Sequence, residues 1–195
     1  MSKRIAVIDA HPDPEAERLI HDLANAYADG AREGGHEVHL IRLSELEFPL
    51  VRSKREWDSG KIPEALRRAQ DSIAWADHLV ILYPLWLGCM PALLKGFLEQ
   101  VMRPGFAIAT PDTGGMHRKL LRGKSARLVV TMGMPAFLYR LYFRAHSVKS
   151  LERNVLKFCG VSPVKETLIG MVENMPAPSY RKWMMRLAAL GNAGV

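Results

Sequence analysis

Three short stretches carry side chains able to do chemistry. The first is His11-Pro12-Asp13-Pro14-Glu15-Ala16-Glu17-Arg18, an imidazole leaving an apolar run and followed by a guanidinium. Histidine and arginine N–H groups both suit a phosphate, and a helix N-terminus adds free amides and the positive end of its dipole. The same residues also read as an ordinary helix start, with Asp13 as N-cap and Pro14 at the first helical position. The second stretch runs from Tyr83-Pro84-Leu85-Trp86-Leu87-Gly88-Cys89-Met90-Pro91 to Phe97. Its two prolines stiffen an apolar loop, and Gly88 permits close backbone approach, which suits a flat heteroaromatic ring. Trp86 and Leu87 read equally well as core or dimer contacts. The third stretch is Thr131-Met132-Gly133-Met134, at the end of another apolar run.

These stretches need elements to position them. Arg4–Asp9, His36–Leu43, Asp77–Tyr83, Ser125–Met132 and Pro163–Val172 are short runs rich in β-branched and apolar residues, so they predict strands. Between them lie helical patterns. Leu19, Ile20, Leu23, Tyr27 and Ala31 recur at three- and four-residue steps, predicting an amphipathic helix over Glu15–Arg32 that Gly34-Gly35 stops. Further helices are predicted at Ile62–Ala76, Pro91–Met102 and Ser150–Phe158. A basic amphipathic one is predicted at 178–190. Residues 44–60 read as a loop, and Pro104–Arg122, with Pro111, Gly114 and Gly115, as a long irregular excursion. Strands apolar on both faces alternating with helices predict an α/β three-layer sandwich around a parallel sheet. In such sheets ligands sit beyond the carboxyl ends of the strands, where all three stretches fall.

Composition narrows the function. The 195 residues are 48% hydrophobic and 24% charged, enough apolar material for one domain and too much for a disordered chain. No apolar run spans a bilayer, and the run after Lys3-Arg4 ends at Asp9, too soon for a secretory signal, so a cytoplasmic protein is expected. Residues 1–60 carry 8 Lys/Arg against 12 Asp/Glu, while the remainder carries 19 against 8. The basic second part suits an anionic ligand, or is simply a solvated face. Nucleic acid is not expected, because no recognition motif or basic–aromatic interleaving accompanies the charge. The seven histidines, His117 among them, show no metal-ligand spacing. Cys89 and Cys159 are too few for a disulfide framework and read as buried thiols. No GxGxxG, GxxxxGK[ST] or GxSxG is present, which argues against dinucleotide-fingerprint domains, P-loop NTPases and serine hydrolases.

His11-Pro12-Asp13-Pro14 after the first strand and YPLWLGCMPALLKGFLEQV after the third resemble the flavodoxin-like NAD(P)H:quinone oxidoreductases over about residues 3–170. The resemblance implies a five-stranded parallel sheet of order 2-1-3-4-5, bound FMN or FAD, NAD(P)H as co-substrate, a small-molecule electron acceptor and a homodimer. It places His11 on the flavin phosphate. Arg18 would stand in for the hydroxyl that Ala16 does not supply. Pro84, Leu85, Trp86 and Leu87 would cradle the ring, with Thr131 and Gly133 bordering it. Tyr139 and His146 would lie on the substrate side, though Tyr139, Tyr142 and Phe143 also read as dimer contacts. Arg140, Arg144 and Lys149 are candidates for the nucleotide's phosphates. The expected organisation is a flavin-binding domain over 1–175 and a basic helical arm over 176–195. In an alternative implied by one branch of the family, the chain is a regulatory subunit of a membrane transporter, and the arm docks on that partner or on lipid.

Overall fold

The computed structural model describes residues 2–59, 61–109 and 118–195. Five strands, β1 (Arg4–Asp9), β2 (Glu37–Arg42), β3 (His78–Pro84), β4 (Ser125–Thr131) and β5 (Val164–Ile169), form one sheet in the order β2-β1-β3-β4-β5. Every pairing is parallel. This is the flavodoxin-like arrangement that the resemblance implies.

The two-residue period of the strands splits the core in two. Ala6, Ile8, Leu79, Ile81, Leu128 and Val130 join the buried cluster on one face. Ile5, Val7, Val80, Leu82 and Val129 join that on the other. The first face is covered by α3 (Arg67–Trp75), by α4 (Ala92–Val101) and by a helical stretch that runs from α6 (His146–Ser150) through π-helical turns at Leu151–Leu156 into α7 (Lys157–Cys159). The second is covered by α1 (Leu19–Glu33) and α8 (Ala177–Asn192).

Several boundaries move. Helix α1 begins at Leu19, behind Arg18, and not at Asp13. Asp13 instead accepts the Glu15 N–H at 2.9 Å, a local turn that competes with the helix. The loop expected over 44–60 contains α2 (Lys54–Asp58), whose N-cap Ser53 accepts the Glu56 N–H while the Glu56 carboxylate accepts the Arg52 N–H. Another helix, α5 (Ala136–Leu141), follows Pro135. Pro111, Gly114, Gly115 and His117 lie outside the described residues.

Residues 176–195, expected as an arm, are packed on the domain. Leu187 is buried against α1. A Cβ on Gly30 would stand 2.1 Å from the Ala188 carbonyl oxygen, and one on Gly191 2.1 Å from that of Tyr27. The two backbones touch because both positions lack side chains. Among the described residues no helix is long and apolar enough to cross a membrane.

His78 opens β3 buried, its Nδ1 2.7 Å from the Ser125 hydroxyl. Burial, with Lys3, Arg127 and Lys165 nearby, lowers its pKa to about 4. A histidine depressed in the folded state binds protons first when unfolded. Stability therefore falls as pH drops from 6.5 towards 4, by up to about 3 kcal/mol from this group. Denaturation curves of His78→Gln are expected to show a shallower acid decline; an unchanged slope would contradict this assignment.

Candidate functional site

The sheet order reverses between β1 and β3, and the crevice outside their carboxyl ends is where doubly wound folds bind ligands. His11 leaves β1 and Trp86 leaves β3. Their rings meet edge-on across this point, centroids 6.0 Å apart. The Leu85 N–H donates to the Thr131 carbonyl at 2.7 Å, which ties the loops after β3 and β4 together. Thr131 itself is buried, so it acts here through its backbone.

Trp86 to Cys89 form a tight turn. Trp86 N–H donates to Cys89 carbonyl and Cys89 N–H to Trp86 carbonyl, each at 2.9 Å. Leu87 and Gly88 between them have φ of +48° and +75°. That is the two-residue turn of mirror-image geometry, which turns the central N–H groups outward. Glycine adopts it freely, but leucine is strained there. Among the described residues no acceptor takes the Leu87 or Gly88 N–H. Trp86 is 48% exposed and Leu87 fully so, which removes Trp86 from the core. Pro84 and Leu85 are half-buried beneath them. Cys89 is exposed, not buried as expected, and accepts the Ser147 hydroxyl at 3.4 Å.

The first loop is organised by two residues that carry no signal of their own in the sequence. Asp9 ends β1 buried, and His21 sits buried in the first turn of α1. His21 Nδ1 lies 2.6 Å from the Asp9 carboxylate and Nε2 3.0 Å from the Asp13 carbonyl. The other Asp9 oxygen accepts the His11 N–H at 3.3 Å. His11 Nδ1 lies 3.1 Å from the Asp13 nitrogen and 3.3 Å from the Asp13 carbonyl oxygen; the tautomer that accepts the Asp13 N–H carries its proton on Nε2. Burial lowers the His11 pKa, which favours the neutral ring.

Arg18 does not stand free. Its guanidinium reaches Asp13 and Glu15, both at 2.5 Å. A phosphate would have to share it with two carboxylates. No side chain caps α1 either; the His21 N–H is taken by the Arg18 carbonyl, which leaves the Leu19 and Ile20 N–H groups available to an anion.

The third stretch fits the site in part. Met132 is buried and Met134 packs against the core. The Met171 N–H donates to the Met134 carbonyl and the Val172 N–H to that of Met132. A Cβ on Gly133 would stand 2.6 Å from the Glu173 carboxylate, which would have to swing aside. Glu173, exposed in the loop after β5, had no signal in the sequence.

Tyr139 is 1% exposed, and its hydroxyl accepts the Val148 N–H at 3.4 Å. Its place in the core closes direct contact with a substrate and also removes it as a dimer contact. His146 is exposed and lines a separate groove with Arg144 and Lys149. Arg140 pairs with Glu166 at 2.7 Å. Among the described residues no group of His, Cys, Asp or Glu is arranged to hold a metal ion.

Residues 3–187 match the family described as having a flavodoxin-like fold, and the chain belongs to that family. A Haemophilus influenzae protein named as an uncharacterized NAD(P)H oxidoreductase is 30% identical over 187 residues, covering 94% of this chain and 91% of that one. A Pongo abelii ribosyldihydronicotinamide dehydrogenase [quinone] is 35% identical, covering 94% of this chain and 87% of its own. The fold is shared with an FMN-dependent NADH-azoreductase of Bacillus anthracis solved with FMN, at a TM-score of 0.72 and 14% identity, over 100% of this chain and 99% of that one.

Proposed function

We propose that the chain is a flavin-dependent NAD(P)H oxidoreductase passing two electrons to a quinone-like small molecule, with FMN as the flavin. The observation that carries this is the meeting of the loops after β1 and β3 beyond the carboxyl end of the sheet, where His11 and Trp86 are in edge contact and the Leu87 and Gly88 N–H groups have no acceptor among the described residues. The names of the full-length relatives support the same chemistry.

The donor set fits the group. His11 Nε2–H and the uncapped opening of α1 would hold the phosphate, with Arg18 shared between it, Asp13 and Glu15. The Leu87 and Gly88 amides would meet the polar edge of the ring, and the Trp86 indole would flank it. Bound there, the flavin supplies the hydride acceptor and the two-electron donor. The protein's part would be to hold the ring against a stiff, strained turn. Oriented amides stabilise negative charge that develops nearby without having to reorganise.

The exposed apolar side chains of α5 and its end, Phe137, Leu141, Tyr142 and Phe143, form a face we assign to a second copy of the chain. Sedimentation is expected to give twice the chain mass; a monomer at micromolar concentration would remove that assignment.

The functional test is direct. The purified protein, supplied with FMN, is expected to retain visible flavin absorbance and to oxidise NADPH only when a soluble quinone is present. His11→Leu should weaken FMN binding about tenfold, the worth of one charge-assisted hydrogen bond. A colourless protein that turns over neither nucleotide would refute the reading.

A further inference from the structure

Arg144, His146, Lys149, Ser150, Arg153 and Asn154 line a groove of about 370 Å³. From His146 to Arg153 the lining positions recur at three- and four-residue steps, so one side of this helical stretch presents them together. No carboxylate lines the groove. Neighbouring acids are engaged elsewhere: Glu152 pairs with Lys157 at 2.6 Å and Glu166 with Arg140. Among the described residues Arg144, Lys149 and Arg153 have no ion-pair partner, unlike Arg140 and Arg18. Three unpaired cations around one concavity, with a hydroxyl and an amide between them, make a receptor for a compact dianion.

The helical stretch that carries the groove also touches the turn after β3. Ser147, next in sequence to His146, touches Cys89 of the strained turn. Arg144 and Ala145 both have left-handed φ, +51° and +50°, which reverses the chain just before His146.

We infer that this groove takes the 2′-phosphate of NADPH and makes the enzyme prefer NADPH to NADH. The inference rests on the reading of the chain as an NAD(P)H oxidoreductase. A 2′-phosphate is the one group that distinguishes the two reductants, and it is a dianion set at the end of the nucleotide away from the ring that reacts. Arg144 and Arg153 would take its oxygens from two sides, Lys149 from a third.

Two measurements on the full chain separate this inference from the reading beneath it. The first is calorimetric binding of adenosine 2′-phosphate, with adenosine 5′-phosphate and inorganic phosphate as controls; it needs no flavin and no turnover. The wild type is expected to bind the 2′-phosphate more tightly than either control. Arg144→Gln/Arg153→Gln should weaken it at least about tenfold, with FMN affinity unchanged. The second is kcat/KM with each reductant: the double variant should lose about tenfold with NADPH and little with NADH, mostly in KM. Equal binding of adenosine 2′-phosphate by wild type and variant would overturn the inference whether or not FMN binds. So would tighter binding of the 5′-phosphate, or an equal loss with both reductants. If the protein takes up no FMN while the 2′-phosphate result holds, the flavin reading fails and the nucleotide groove stands.

Discussion

Asp9→Ala is expected to remove about 3 kcal/mol of folding stability, the lower end of what breaking a buried ion pair costs. Asp9 and His21 are both buried, 2.6 Å apart, and no water can replace the missing carboxylate at full strength. The variant would leave the buried His21 Nδ1 without its partner at the end of β1. It would also release the His11 N–H from its Asp9 acceptor. Because His21 additionally holds the Asp13 carbonyl, the whole turn from His11 to Arg18 loses its anchor. FMN affinity should therefore fall with stability, by about tenfold, if the loop carries the phosphate. Urea denaturation gives the first quantity and equilibrium titration the second. Asp9→Leu/His21→Leu removes both charged partners and should recover most of the stability but not the flavin affinity. An Asp9→Ala protein within about 0.5 kcal/mol of wild type, on the scale of an ordinary surface substitution, would show that the pair does not hold the loop.

Gly30→Ala is expected to be at least as costly, about 3 kcal/mol, because the new methyl runs into backbone in a packed interior. It would stand 2.1 Å from the Ala188 carbonyl oxygen, and no rotamer change relieves that. Helices α1 and α8 must separate, which opens gaps around Leu187, Leu23 and Tyr27 in the buried cluster beneath. For a chain of this size that corresponds to a melting temperature lower by about 6–12 °C. Gly191→Ala meets the Tyr27 carbonyl in the same way and should act alike. Gly35→Ala is a useful contrast. Nothing lies within 4 Å of its Cβ, but its φ of +77° makes it a test of backbone strain alone, expected near about 1 kcal/mol. A Gly30→Ala protein that melts with the wild type would mean that α8 does not pack this closely on α1.

Composition alone carries the sheet. Ile5–Ile8, Leu79–Tyr83 and Leu128–Val130 are apolar on both faces, and only a sheet covered on both sides accommodates that. The strand order, by contrast, came with the resemblance around His11 and Tyr83–Phe97. Local competition hid other features. Pro12-Asp13-Pro14 has the residues of a helix cap, but the Asp13 carboxylate is taken by the Glu15 N–H and by Arg18, so α1 starts at Leu19. Ser53 and Glu56 cap α2, but with Pro49 and Gly60 on either side residues 44–60 read as loop. At the site, the Trp86–Gly88 stretch was legible from stiffness and hydrophobicity. Asp9 and His21 were not, because twelve positions separate them and only the β1–α1 connection brings them together. The partners of Arg18 lay in plain sight at Asp13 and Glu15, but their distances depend on a turn that periodicity does not describe. Tyr139 had the right residue type and the wrong surroundings.

The central claim is that a flavin ring lies over the turn at Leu87-Gly88 beside Trp86, with its phosphate tail at His11. A crystal of the full chain soaked in FMN tests it most directly. The expected map shows one ring per chain within contact of the Trp86 indole, its polar edge on the two turn amides and its phosphate at the start of α1 beside His11. A map in which that crevice stays closed by Trp86, or in which FMN settles elsewhere, would contradict the account.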